Sequence, residues 1–411
     1  MKPSLTLIAI LLTVSTATRA QVVPAATGPS GLPVSGSLHY DAHYTQTAQF
    51  SNGTQGNAQR SNVSADVTYA NASISRPFAL TYSGGDSWTI SGTGTGSGIF
   101  QHLLVSQGFL GRSWAFTLSD NVGYTPQSPT TGFSGVSGVG TLPGEPGQPT
   151  QPIMQNMSSI NNVAGAMFKH SLNHATSLNI SSSYGILRFP DGNGLETNSF
   201  QLSPQLIWRL NARNSITGQY AFSRFSYPAY TFTTGTQSAQ FGFQRTWSKR
   251  LQSSVSAGPE WIQGSVDAGI PSSTGLTVNA SSSYHTKTLT ATLSYIQAAS
   301  GGAGVATQIG VHNKDVNATL SWQHGKNLAV SFSGAYMRTQ GLQQQQTGVT
   351  NGQVYGMVAT RRWGRYVTLT ANYTATQQST SSALPATAIS GLTQVIGFGI
   401  GYSPLELHLR K

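Results

Sequence analysis

The sequence predicts an all-β fold: a transmembrane antiparallel up-and-down β-barrel of about 18 strands, with 16 strands as the alternative. Three observations predict it. Apolar and polar residues alternate over many runs, aromatic residues recur before short turns, and no run after the N-terminus is long enough for a membrane-spanning helix.

The hairpin at residues 239–261 shows the alternation most clearly. Phe241 and Phe243 share one face of its first run, and Leu251 and Trp261 share one face of its return run. Small and polar residues fill the opposite faces. A soluble β-sandwich could show the same alternation, but here an aromatic residue closes each end of the apolar face. The return run spans about 26 Å when tilted by roughly 40°, which matches the apolar band of a membrane barrel.

The hairpin unit repeats through the second half of the chain. An aromatic residue stands before a short polar turn every 37 to 41 residues, at Trp208, Trp247, Tyr284, Trp322 and Trp363. Each period holds two runs of roughly ten residues and one long connection, as in a membrane barrel. A propeller blade would need four strands in that length, so the repeat favours the barrel.

The first 20 residues are typical of an export signal. Lys2 supplies the positive charge, residues 5–14 the apolar segment and Thr18-Arg19-Ala20 a cleavage site, so we expect removal after Ala20. No later stretch approaches eighteen consecutive apolar residues, and any membrane span must then be a barrel. The chain has no cysteine, which excludes a disulfide framework.

Composition narrows the function. Charged residues make up 8% of the chain, whereas 16 Phe, 16 Tyr and 7 Trp argue against disorder. The net charge is +11, or +9 once Lys2 and Arg19 are removed, and much of it lies beside the short turns. Without a basic stripe interleaved with aromatic residues, we expect no nucleic-acid binding.

We divide the chain into a signal peptide at 1–20, a flexible segment at 21–36, a barrel at 37–403 and a periplasmic C-terminal tail at 404–411. Short and long connections alternate, which places the short turns and both termini in the periplasm and the long loops outside. The predicted strands are 37–49, 61–71, 76–84, 98–109, 112–124, 159–170, 176–188, 197–210, 214–226, 236–247, 251–263, 274–284, 288–298, 312–323, 327–338, 351–362, 366–377 and 392–403. The alternation is weakest in 76–84 and 98–109.

This architecture resembles the bacterial outer-membrane β-barrels, and in particular the porins, over about residues 37–403. The last run, Gln394 to Tyr402, is similar to their terminal assembly signal, with Gly397 and Ile400 at its glycine and hydrophobic positions. This chain departs from the pattern because it continues for nine residues beyond the final aromatic residue. The resemblance implies an outer-membrane location, with outer-membrane lipids and the barrel assembly machinery as partners, and leaves a homo-oligomer open.

The longest predicted loop covers about residues 125–158. In trimeric porins the loop at this position folds inward and narrows the channel. The resemblance therefore makes Glu145, the only charged residue of the loop, a candidate constriction residue. The alternative is a disordered external loop.

A titratable cluster begins the barrel. His39, Asp41 and His43 share one strand face, and Asp66 on the next strand is expected roughly opposite His43 or Tyr44. His and Asp can ligate Zn²⁺ or exchange protons. Successive residues on one face are nearly 7 Å apart, so we expect a hydrated polar cluster on the channel wall rather than a metal or catalytic site.

One short motif resembles the nucleophile block of some esterases. Gly84-Gly85-Asp86-Ser87 contains the Gly-Asp-Ser sequence, but the partner Asp-x-x-His pattern is absent. We interpret this segment as a loop.

The predicted inner face consists mainly of small uncharged polar side chains. Eighteen strands leave a lumen wide enough for water, so we predict a passive diffusion channel for small hydrophilic solutes, with no cofactor and no enzymatic activity. The alternative is a structural or surface-binding barrel whose long loops bind a partner or ligand, and a barrel enzyme comes third. The predicted lumen-lining residues are His39, Asp41, His43, Asp66, Glu260, Asn279, Asn317, Thr319, Thr370 and Asn372.

Overall fold

The computed structural model describes residues 36–404 and 407–409, except 53–55, 72, 74, 93–97, 126–157, 191–195, 231, 266–268, 301–310, 326, 343–348 and 381–390. Each strand pairs with its neighbours in sequence, and the first strand pairs with the eighteenth. The sheet is therefore a closed antiparallel barrel of 18 strands, and the 16-strand alternative is excluded.

The strand bounds follow the alternating runs of the sequence. The strands are β1 Gly36–Ser51, β2 Ala58–Asn71, β3 Phe78–Gly92, β4 Gly98–Leu110, β5 Trp114–Thr125, β6 Ser159–Ser171, β7 Thr176–Arg188, β8 Thr197–Arg209, β9 Asn214–Ser226, β10 Thr233–Thr246, β11 Leu251–Gln263, β12 Ser273–His285, β13 Leu289–Ser300, β14 Val311–His324, β15 Leu328–Gly341, β16 Val349–Trp363, β17 Val367–Thr380 and β18 Gly391–Tyr402.

Strand β3 differs most from its prediction. The alternating pattern predicts its end at residue 84, but the strand continues to Gly92. Gly84-Gly85-Asp86-Ser87 is therefore part of a strand, and its interpretation as a loop is wrong. The reason is tertiary: β2 pairs with β3 along its whole length, and Val63 is the register partner of Asp86. Glycine and aspartate favour turns locally, but two flanking strands outweigh that preference.

Four of the short turns share one hydrogen-bonding pattern. The side-chain oxygen of Asn173, Asn211, Ser248 or Thr286 accepts hydrogen bonds from the backbone N–H groups two and three residues further along. Asn, Ser and Thr favour turns for this reason. The residues recur with the hairpin period, so the turn chemistry and the strand pattern specify the same register.

The exterior carries an apolar belt between two rows of aromatic side chains. Large exposed apolar residues lie on one parity of nearly every strand, as in β14, where Val316, Leu320 and Trp322 are 37%, 39% and 41% exposed. Trp247 and Trp363 stand at the short-turn end of this belt, and Trp261 stands at the other end. A closed barrel with such a belt and aromatic girdles has the surface that a bilayer requires. The chain is a transmembrane β-barrel.

Among the described residues, no helix is long and apolar enough to cross a membrane.

A nineteenth short strand, β19 Leu407–Leu409, extends the seam, which is the line along which β1 pairs with the C-terminal strands to close the barrel. Strand β18 pairs with β1 only from Ala42 upward, and β19 pairs with Gly36–Leu38 below it. The segment after the terminal aromatic residue thus satisfies the backbone of β1 where β18 has already ended.

Candidate functional site

The candidate site is the inner wall of the barrel. Alternation places all ten predicted lumen-lining residues on the face opposite the apolar belt. In β14, for example, Asn317 and Thr319 alternate with the exposed Val316, Ala318 and Leu320. Asn372 on β17 likewise alternates with the exposed Tyr373, and its amide oxygen lies where a side chain on Gly397 of β18 would extend.

Much of the wall consists of hydroxyl and amide groups bonded across strands. Ser254 and Ser281 are 2.7 Å apart, Thr292 and Thr319 are 2.5 Å apart, and Ser321 and Ser331 are 3.0 Å apart, each between hydroxyl oxygens. These side chains are short and uncharged. They hold each other against the wall, so they line the lumen with dipoles without filling it.

Gln240 on β10 connects three strands of this wall. Its amide oxygen accepts hydrogen bonds from the Ser256 hydroxyl at 3.0 Å and from the Asn279 amide at 3.2 Å. The predicted wall residue Asn279 is therefore fixed by β10, two strands away from its own strand β12.

The titratable cluster forms on β1 and β2. His39 Nε2 lies 2.9 Å from Asp41 Oδ2, and His43 Nε2 lies 3.4 Å from Asp66 Oδ2. The Ser83 hydroxyl donates to the other carboxylate oxygen of Asp66. All four residues are partly buried, with side chains 12% to 28% exposed.

One predicted position within this cluster is wrong. Asp66 lies opposite Asp41, not opposite His43 or Tyr44, because the β1–β2 connection is centred nearer the N-terminus than the sequence suggests. Asp66 still reaches His43 diagonally. Asp41 and Asp66 both lie five residues from the ends of β1 and β2 on the short-turn side of the barrel.

This arrangement explains how two carboxylates can be register partners. Like charges directly opposite each other destabilise a sheet, but each carboxylate here has its own imidazole. The described residues contain no group of three or more His, Cys, Asp or Glu side chains that could hold a metal ion. The cluster is two His–Asp pairs on the wall, and it does not converge on a common ligand position.

Glu260 lies on the wall near the long-connection end and is tied to the backbone. Both of its carboxylate oxygens accept from the Ala299 N–H of β13, at 3.0 and 3.1 Å. Strands β12 and β13 pair only up to Val278↔Gln297. Glu260 therefore replaces the missing strand partner of Ala299, and its charge is held against the wall rather than projected into the lumen.

Asp315 on β14 is a wall residue that the sequence reasoning missed. It is completely buried, and neither carboxylate oxygen has a hydrogen-bond partner in the described part of the chain. The sequence could have indicated this position, because Asp315 lies two residues before Asn317 and therefore on the same face of β14. A buried carboxylate without a partner is costly in its charged form.

A small apolar cluster lies at the long-connection end of the barrel. Phe225, Tyr227 and Ile270 are buried together, and Phe232 and Leu342 pack against them. Leu342 follows β15, six strands from β9, so this packing joins distant parts of the rim. Burial raises the pKa of Tyr227 to about 12, and its hydroxyl lies 3.3 Å from that of Thr234. The rim residues at this end are therefore fixed by a core of their own.

The predicted constriction residue Glu145 lies outside the described residues, as does most of the loop at 125–158.

No protein-family model matches the chain, and no curated protein matches it. Its structure is similar to that of OccK2 (OpdF) of Pseudomonas aeruginosa in complex with glucuronate, at 12% identity and a TM-score of 0.48, over 90% of this chain and 98% of that chain. It is also similar to OccAB3 of Acinetobacter baumannii, at 8% identity and a TM-score of 0.46, over 90% and 99%. A third similar structure is OprD of Pseudomonas aeruginosa, at 10% identity and a TM-score of 0.43, over 95% and 100%. Because these identities are low, we infer the function from this chain's own wall.

Proposed function

We propose that this protein is a porin-like passive diffusion channel for small hydrophilic solutes across the outer membrane. The observation that carries the proposal is the inner wall: short hydroxyl and amide side chains, bonded to one another, line a closed barrel of 18 strands. A barrel of this strand number encloses an aqueous channel unless loops or a plug fill it. The wall dipoles replace part of the hydration of a passing solute.

The location and assembly belong to the same proposal. Export through the signal at residues 1–20, insertion by the barrel assembly machinery and contact with outer-membrane lipids are consistent with the apolar belt and its aromatic girdles. We propose no enzymatic role, because the histidines and carboxylates of the first two strands pair with each other instead of converging on a substrate position.

Conductance tests the function. The purified protein, folded in detergent, is added to a planar bilayer, and stepwise current increases are expected. Proteoliposomes should swell in isosmotic solutions of small neutral sugars and should swell more slowly as the sugar becomes larger. A folded barrel that gives neither current steps nor swelling would favour the alternative role, a structural or surface-binding barrel.

A further inference from the structure

A row of polar side chains crosses the exterior of strands β13–β16 near their long-connection ends. Gln297, Lys314, Arg338 and Asn351 are register partners in that order. They share the face of the apolar belt, since Tyr336, two residues from Arg338 on β15, is 40% exposed on that face. The row therefore faces the membrane, not the lumen.

The row lies just outside the aromatic girdle. The residues two positions toward the short-turn end are Tyr295, Val316, Tyr336 and Gln353, of which Val316 and Tyr336 are exposed members of the belt. Two residues of a tilted strand correspond to about 5 Å along the membrane normal. Lys314 and Arg338 thus stand where the apolar band gives way to lipid headgroups.

These two cations face each other without a carboxylate. Lys314 and Arg338 are direct register partners, and both are exposed. The ion pairs within the described ranges are His39–Asp41, His43–Asp66 and Arg188–Glu196, so neither cation has one. Asp315 is adjacent in sequence but points to the other face. Like charges directly opposite each other are destabilising in a sheet, so an anion bound from outside would relieve the repulsion within this pair.

The flanking amides are oriented by tyrosines. The Tyr336 hydroxyl donates to Asn351 Oδ1 at 3.2 Å, and the Tyr295 hydroxyl donates to Gln297 Oε1 at 2.7 Å. The Gln297 amide nitrogen donates to the Leu276 carbonyl at 3.1 Å. The donors that remain available are the ammonium of Lys314, the guanidinium of Arg338 and the Asn351 amide nitrogen. Such a group matches the oxygens of a phosphate, which guanidinium groups bind in a bidentate manner.

We propose that Lys314, Arg338 and Asn351 bind the phosphate group of a phosphorylated glycolipid in the outer leaflet, whose acyl chains lie on the belt below. The proposal rests on the outer-membrane orientation given above, with the long connections outside. The position of the row favours a lipid over a soluble anion. The adjacent apolar surface can bury acyl chains, whereas it makes no favourable contact with free phosphate.

The test compares lipid retention by matched variants. Wild-type protein, the double variant Lys314→Gln/Arg338→Gln and the control Arg245→Gln/Arg361→Gln are purified and incubated in micelles containing bisphosphorylated lipid A. The control removes two exterior cations at the short-turn end, where Arg245 stacks on Trp247. Native mass spectrometry then counts the bound lipid. Each basic residue near a charged membrane surface contributes roughly a fivefold effect, so retention by the first double variant should fall by roughly tenfold or more, with the control unchanged.

Three results would overturn the proposal. The two double variants could retain equal amounts of lipid A, or the wild-type protein could retain dephosphorylated lipid A as well as the bisphosphorylated form. The third result is that the wild-type protein retains inorganic phosphate as well as it retains lipid A. If the first double variant fails to assemble, the single variants Lys314→Gln and Arg338→Gln replace it. Each single variant should then reduce lipid A retention by roughly fivefold. Conductance of the same preparations separates the two proposals. Wild-type protein that conducts without retaining lipid A contradicts only the lipid site, and protein that retains lipid A without conducting contradicts only the channel.

Discussion

Strands β13–β15 and strands β3–β6 form the same kind of wall with different surfaces. In the first sector, the exterior at mid-strand is apolar, with Leu293, Leu320 and Phe332 exposed. In the second sector, Asp120 lies on the exterior between Leu118 and Val122, and its Oδ1 accepts a hydrogen bond from the Asn162 amide at 2.9 Å.

The polar pair Asp120–Asn162 lies at an unexpected depth in the membrane. Asp120 lies six residues from Trp114 and four from Tyr124, the aromatic residues at the two ends of the exposed face of β5. It is therefore near the middle of the apolar band. A barrel wall tolerates such an exception when the polar groups bond to each other across strands, because the backbone ladder of β5 and β6 stays complete.

The largest effect is expected where an apolar exterior is broken by a charge. Leu369→Arg on β17 lies opposite Arg361 near the short-turn end and should cost only about 0–1 kcal/mol, whereas Ala318→Arg places a cation near mid-strand on the lipid-facing side of β14, at a cost of about 2–4 kcal/mol. Folded barrel measured by heat-modifiable gel mobility should therefore decrease strongly in Ala318→Arg. The matched controls Thr319→Arg and Thr370→Arg face the lumen, where the guanidinium stays hydrated. Similar losses in Ala318→Arg and Thr319→Arg would contradict the assigned parity.

The converse change should stabilise the other sector. Asp120→Leu/Asn162→Leu replaces the exterior polar pair by apolar side chains, and the gain should be about 1–2 kcal/mol, since acidic residues cost less than basic ones in the band. The midpoint temperature of the gel-mobility shift should rise. Leu118→Ala/Val122→Ala is a control that changes the exterior without removing charge. A lower midpoint for the leucine variant would show that a polar partner, such as a second barrel, covers this pair in the native membrane.

The smallest effects concern ion selectivity. Lys249, Arg250, Lys287, Arg362 and Arg365 lie in or beside short turns, at the rim of a wide mouth. Rim charges act weakly on an ion at the centre, because the Debye length is about 8 Å at 0.15 M salt. Reversal potentials across a salt gradient should sit near zero and should move modestly toward anions in dilute salt. A strong anion preference that persists in 1 M salt would indicate a basic constriction.

The carboxylates of the titratable cluster provide a second test of ion selectivity, because they lie at the same end of the barrel as the basic rim. In Asp41→Asn/Asp66→Asn, the carboxylates that oppose the rim are gone, so the shift toward anions in dilute salt should grow. Thr292→Ser, on the neutral wall, should leave the potential unchanged. An unchanged potential in the double variant would mean that the paired histidines already cancel the two carboxylates.

The two sectors also differ in the regularity of their alternation, although among β3, β4, β13 and β14 only β3 departs from its predicted bounds by more than two residues. The runs of β13 and β14 alternate regularly, and their predicted bounds agree with the structure to within two residues. The runs of β3 and β4 alternate poorly because Gly84, Asp86 and Gln101 occupy exterior positions that are apolar elsewhere. Sequence patterns therefore predict the full length of a strand when its residues alternate regularly. They predict too short a strand when pairing with neighbouring strands extends it beyond the alternating residues.

The sequence by itself determined the barrel and the small polar character of its wall, and it predicted about 18 strands, whereas the pairing of β1 with β18 fixed that number. Alternation and turn chemistry are local properties, and each hairpin expresses them independently of the rest of the chain. Only the tertiary structure decided that Asp66 lies opposite Asp41, that Glu260 caps the Ala299 N–H, that Leu342 reaches Tyr227 and that β19 completes the seam. These contacts depend on the exact lengths of connections and on the closure of the barrel, which joins residues more than 340 positions apart.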